Sequence, residues 1–174
     1  VEYLKHPDVK KYPVKGYGTT IEKMYEMVSG NHVVTMEFIE DNPKFPWNWS
    51  AISYNPNLTI DFINKYPDKP WNWEYVSENP SITIKDINAN PDKPWCWYYV
   101  SLKHDITMEY INANLDKSWC WGCISENPSI TIEDINANPD KPWDWFYVSR
   151  NSNLTMEFIA SNPELYKEFD WDVY

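Results

Sequence analysis

The stretch YPDKPWNWEYVSENPSIT, Tyr66–Thr83, decides how this chain is read, because its parts return downstream: NPDKPW stands at Asn90–Trp95 and again at Asn138–Trp143. The first tryptophan of each W-x-W pair falls at Trp47, Trp71, Trp95, Trp119 and Trp143, a constant step of 24 residues, and Trp49, Trp73, Trp97, Trp121 and Trp145 follow in register. The eleventh tryptophan, Trp171, belongs to an altered copy, FDWDVY, displaced by two residues. A fixed period of this size is the mark of a repeat architecture.

Other columns keep the step. Thr35, Thr59, Thr83, Thr107, Thr131 and Thr155 form one, Ile39, Ile63, Ile87, Ile111, Ile135 and Ile159 a second, and Ser29, Ser53, Ser77, Ser101, Ser125 and Ser149 a third. Each unit is predicted to hold two short helices. The threonine is a helix N-cap, with an acid three residues later in TIKDI and TIEDI making a capping box. Asn-Pro ends this first helix after about two turns, because the residue before proline avoids the α region. The second helix is predicted to begin at the proline of KPW, a favoured first helical position, and to run to the next Asn-Pro. On such a helix Trp73, Val76 and Ser77 share one face, and Trp71 pairs with Tyr75 on another. Neither face can be buried within one unit, so the units must stack. One indole of each pair is expected between the helix layers and the other in the joint between units, both away from water.

The fold class is therefore all-α, an α-solenoid of about six 24-residue two-helix repeats. Residues 1–20 are expected to form an N-terminal cap. Residues 21–174 form a single repeat domain, with a degenerate first repeat near 21–34, where Tyr25 falls in the second tryptophan column, and an altered last repeat after 163.

The repeat resembles the leucine-rich variant repeats in its period and in the punctuation of VSENPSIT and ISENPSIT. That family pairs an α-helix with a 3₁₀-helix in a right-handed superhelix, and the resemblance implies the same here. The chain departs from it by placing W-x-W where the family has aliphatic and arginine residues, and by one extra residue between Asn-Pro and Thr. NPDKPWNW together with SENPSIT is similar to tandem-repeat proteins encoded by giant DNA viruses of amoebae. That resemblance implies a viral protein in the host cytoplasm or in the virus particle.

Composition narrows the function. Eleven Trp and thirteen Tyr against four Gly argue against disorder. A net charge of −11 repels phosphate backbones and favours basic partners, so no nucleic-acid partner is expected. No apolar run approaches the ~20 residues of a membrane helix, and residues 1–18 lack a signal-peptide core. Three cysteines, an odd number without framework spacing, read as a reducing compartment.

Chemistry is sparse. His6, His32 and His104 have no nucleophile at a familiar spacing, and no Gly-rich phosphate loop is present. Asp86, Glu109, Asp134 and Glu157 read as first-turn helix acids rather than catalytic carboxylates. Cys96, His104, Cys120 and Cys123 are a conceivable zinc set, but Cys96 and Cys120 occupy the middle of W-x-W, and packed surface cysteines are the plainer reading. No cofactor, metal or enzymatic activity is expected. The expected function is a non-enzymatic protein–protein interaction scaffold. Its contact surface would be the variable positions Asn72, Cys96, Cys120 and Asp144 between the tryptophans and Glu74, Tyr98, Gly122 and Phe146 after them. The alternatives are a bridging component of a virus particle and, less well supported, a glycan binder using exposed aromatics.

Overall fold

A computed structural model describes residues 21–163. The expected N-terminal cap and the altered repeat around Trp171 lie outside the described residues. Among those residues there are twelve helices and no strand. The threonine-capped helices are α2 (Met36–Asp41), α4 (Ile60–Lys65), α6 (Ile84–Ala89), α8 (Met108–Ala113), α10 (Ile132–Ala137) and α12 (Met156–Ser161). They alternate with α1 (Ile21–Ser29), α3 (Trp49–Ser53), α5 (Trp73–Glu78), α7 (Trp97–Val100), α9 (Trp121–Glu126) and α11 (Trp145–Val148). The chain is an all-α tandem repeat of the solenoid class. It divides into two compact units between Asn72 and Trp73. In the first, α1 packs on α3; in the second, α5 packs on α7 and α9 on α11.

The threonine column caps the first helices as expected: each hydroxyl accepts the backbone N–H three residues on. The residue supplying that N–H takes two forms. At Asp86 and Asp134 its carboxylate returns a bond to the threonine N–H and completes a capping box. At Phe38, Phe62 and Tyr110 it is an aromatic ring packed edge-on against Trp47, Trp71 and Trp119. Five of the six first helices end by a shared device, and α4 ends at Tyr66 instead. The C-cap asparagine donates its side-chain amide to the carbonyl four residues back, as in Asn90 to Asp86 and Asn138 to Asp134. Its own carbonyl accepts the indole N–H of the first tryptophan, at 2.8–3.0 Å for Trp47, Trp95, Trp119 and Trp143. Asn114 adopts this cap although Leu115, not proline, follows it, so the amide and the indole suffice to stop the helix.

The second helices do not begin where the sequence suggests. Pro70 and Trp71 precede α5, and the helix starts at the second tryptophan of each pair. The proline sits instead at the centre of a three-residue turn closed by Trp71 N–H to Lys69 O, at 2.8 Å, repeated at Trp47, Trp95 and Trp143. An inverse γ-turn needs a central φ near −75°, which proline fixes as readily as it fixes a first helical residue. The expected helical pairing of Trp71 with Tyr75 is therefore absent. These helices open with bonds across four residues, Ile52 N–H to Asn48 O and Val148 N–H to Asp144 O, so they are α rather than the 3₁₀ form of the leucine-rich variant repeats.

The deepest interior is aliphatic rather than indole. Ile52, Val76, Val100, Ile124 and Val148 are fully buried, and Val34, Leu58, Ile82, Ile106 and Ile130 with the isoleucine column are at most 5% exposed. The first tryptophans line the edge of this core: Trp47, Trp71, Trp95 and Trp143 are buried and Trp119 half-buried. All five second tryptophans are half-buried, which corrects the expectation that both rings of each pair are shielded from water. Each of four presents an edge or face to the first tryptophan of the next repeat: Trp49 to Trp71, Trp73 to Trp95, Trp97 to Trp119 and Trp121 to Trp143, with centroids 5.0–5.3 Å apart and planes near perpendicular. Such pairs add about 0.5–1.5 kcal/mol beyond their burial.

Between repeats, polar side chains bond to backbone. The serine hydroxyl at the end of a second helix accepts the N–H of the middle W-x-W residue one repeat on: Ser29 from Asn48, Ser53 from Asn72, Ser77 from Cys96, Ser101 from Cys120 and Ser125 from Asp144. The buried asparagine of Asn-Pro works in two directions. The Asn151 carbonyl oxygen accepts Asn153 N–H in an Asx-turn, while its amide donates to Ser125 O, Asn127 O and Ile130 O of the preceding repeat. Asn55 and Asn127 repeat the arrangement. Replacing Asn151 by alanine strands these buried carbonyls, and the expected loss is about 2–3 kcal/mol. Urea unfolding checks it, with the exposed Asn136→Ala expected within about 0.5 kcal/mol of the parent.

Candidate functional site

The middle residue of W-x-W is the N-cap of the second helix. Asn48 Oδ1 accepts Ala51 N–H at 2.9 Å, and Cys120 Sγ accepts Cys123 N–H at 3.3 Å. Cys96 and Asp144 hold the same backbone position without a side-chain bond. Within this column, expected to be contact surface, Asn48 and Cys120 cap the helix with their side chains and Cys96 and Asp144 do not. Asn72, Cys96 and Cys120 are half-buried, and only Asp144 of the four is exposed. Asn72 also donates to Ser50 Oγ.

The following column faces water more fully. Glu74 is exposed, Tyr98 is 53% exposed and Phe146 42%. Gly122 is half-buried, and a Cβ there would lie 3.0 Å from the Tyr147 ring, so the glycine makes room for that ring. Tyr98 and Phe146 each meet the next residue edge-on, Tyr99 and Tyr147, with centroids 5.2 and 5.3 Å apart. Arg150 reaches over Phe146 and pairs with Glu126. Burial, with the charges of Glu78 and Glu74 adding to it, pushes the Tyr99 phenol above its ordinary range. Tyr75 is 40% exposed on α5. The second unit therefore carries partly exposed aromatic rings on α5, α7 and α11, among the carboxylates of Glu74, Glu78 and Asp144.

The second tryptophans are less open to a sugar ring. Lys69, Lys93 and Lys117 lie over Trp49, Trp73 and Trp97, with the ammonium 4.8–6.0 Å from the ring centre, and the next tryptophan packs against each.

The conceivable zinc ligands are not gathered. Cys120 and Cys123 are bonded to each other, and Cys96 is a free thiol. Among the described residues no three His, Cys, Asp or Glu side chains meet in a metal-binding group. The sequence reading does not pair these two cysteines. A spacing of three was visible in the sequence, but only the N-cap position of Cys120, outside the helical geometry, turns its sulfur toward Cys123.

One buried cation escaped the sequence reading. The asparagine column Asn31, Asn55, Asn79, Asn127 and Asn151 is broken by Lys103, and the 24-residue step alone would have exposed the substitution. Lys103 is 7% exposed, and its ammonium donates to Asn79 O at 3.0 Å, a long cation serving in place of an amide. Burial pushes its pKa from the ordinary 10.5 down to about 8, against the opposing pull of Asp105, Asp86 and Glu78. Asp105, which stands where other copies have valine, asparagine or serine, accepts Ile84 N–H at 2.7 Å and so helps cap α6.

Comparison with protein-family models, with curated proteins and with solved structures returned no match. The likeness to viral and leucine-rich variant repeats rests on period and punctuation alone. No helix among the described residues is long and apolar enough to cross a membrane.

The Lys103 site gives a signed pH effect. Its pKa is lower in the folded chain, so desolvation opposes folding in full below about pH 8, and stability recovers as pH climbs from about 8 toward 10.5. Lys103→Asn restores the column and is expected to raise stability at pH 7 by about 1–3 kcal/mol. The gap between variant and parent should shrink between pH 8 and 10, read from urea midpoints of both proteins at each pH.

Proposed function

We propose that this protein is a non-enzymatic interaction scaffold whose second unit holds a basic, aromatic- or aliphatic-bearing protein segment against α5, α7 and α11. The observation that carries this reading is the partial exposure of Tyr75, Tyr98 and Phe146 on helices whose other sides are committed to packing and capping. Tyrosine and phenylalanine supply large contact area at low entropic cost, and they recur where binding energy concentrates. The carboxylates of Glu74, Glu78 and Asp144 and the net charge of −11 select for a cationic partner and speed its approach. Cys96, Cys120 and Gly122 belong to the framework of this surface. Asp144, Glu74, Tyr98 and Phe146 are its contact groups.

Fluorescence polarisation against panels of basic, neutral and acidic amphipathic peptides tests the reading. Basic peptides should bind, more weakly at raised salt, and the double variant Y98A/F146A should lose about tenfold in affinity with unchanged circular dichroism. Equal binding of acidic peptides, or affinity untouched by the double variant, would overturn it.

A further inference from the structure

We propose that Cys120 and Cys123 form a thiol–disulfide exchange site for small dithiols and their cyclic disulfides, with Cys120 the nucleophilic thiol and Cys123 the resolving one. Four observations support it. The two sulfurs are bonded across a sequence separation of three. Both residues are partly exposed. The repeat does not require the bond: other copies place Asn48, Asn72, Cys96 and Asp144 at the first position, and Ala51, Tyr75, Tyr99 and Tyr147 at the second. The backbone around the pair is also held independently of it. Cys120 N–H donates to Ser101 Oγ and Ile124 N–H to Cys120 O, as the equivalent groups do in neighbouring repeats. Opening the bond therefore leaves the helix start in place, so one fold accommodates both redox states. A loop this short also constrains the unfolded chain less than longer disulfide loops do, which makes the bond a poor staple.

The step balances as a two-electron exchange. A thiolate of the dithiol attacks Cys120 Sγ and the Cys120–Cys123 bond breaks. A mixed disulfide forms at Cys120, and Cys123 leaves as a thiolate. The second thiolate of the reductant then attacks the reductant's own sulfur in that mixed disulfide and displaces Cys120 as a thiolate. The reductant departs as a cyclic disulfide, and its two protons end on the protein thiols. In reverse, Cys120 attacks the cyclic disulfide and Cys123 resolves the intermediate. The assignment of roles comes from the Cys123 N–H, which lies 3.3 Å from Cys120 Sγ and stabilises negative charge there. Cys96, at the equivalent position one repeat earlier, has no such bond and serves as an internal reference.

The test uses the full chain without denaturant. The protein is equilibrated in buffers of defined dithiothreitol to oxidised dithiothreitol ratio, trapped with iodoacetamide, and its alkylated cysteines counted by mass spectrometry. The expected result is a two-electron transition of Cys120 and Cys123 together, about 30 mV per tenfold change in ratio. Cys96 should be alkylated throughout and circular dichroism should not change. A pair that opens only in denaturant, that never closes in oxidising buffer, or whose opening abolishes the helical signal would overturn the proposal. In Cys123→Ser, Cys120 should react with iodoacetamide severalfold faster than Cys96 at neutral pH, whereas in Cys120→Ser the remaining Cys123 should not. Equal rates would overturn the role assigned to Cys120.

Discussion

Helices one to two turns long leave most of their backbone polar groups outside any internal ladder, and buried groups of that kind must be satisfied or they oppose folding. The architecture follows from how side chains meet this constraint. Threonine supplies the acceptor at the start of a first helix, and asparagine with an indole N–H closes its end. Serine bridges to the next repeat, and a second asparagine ties its own turn to the carbonyls of the repeat before it. No buried side-chain nitrogen or oxygen among the described residues lacks a partner. The tryptophans belong to this scheme as much as to the hydrophobic one. Each first indole fills the margin of an aliphatic core while its N–H serves a helix terminus.

Much of this was legible in the sequence because the period projects every structural position onto a column. The two-helix unit, the threonine caps, the capping boxes at Asp86 and Asp134 and the aliphatic column at Ile87 all follow from residue type and spacing. The start of the second helix did not, because proline's fixed φ suits a γ-turn centre and a first helical residue alike, and only the folded chain distinguishes them. The burial of the tryptophans was overstated for one column: first tryptophans such as Trp71 are buried, whereas second tryptophans such as Trp73 are half-buried, and isoleucine and valine take the deepest interior. At the candidate surface, the variable positions formed a single class in sequence. The fold separates them into helix caps such as Cys120 and outward rings such as Tyr98, because two residues along a helix start turn a side chain by roughly 200° around the axis.

Where the columns are broken, local chemistry changes without loss of the fold. Lys103 reaches the carbonyl of Asn79 with an ammonium that burial has made unusually easy to deprotonate. Cys120 and Cys123 put a covalent bond where other copies have asparagine, cysteine or aspartate at the first position and alanine or tyrosine at the second. The repeat tolerates such substitutions because neighbouring copies secure the backbone on either side. Individual copies can therefore acquire distinct properties while the shared framework persists.

The bonds from one copy to the previous one within a unit have a kinetic corollary. Among the described residues they link positions 19 to 26 apart. Low contact order of this kind lowers the loop-closure barrier and speeds folding. A newly formed copy presents the carbonyls and hydroxyl that its successor must engage, so order spreads by templating from any point of nucleation, in the manner of a zipper.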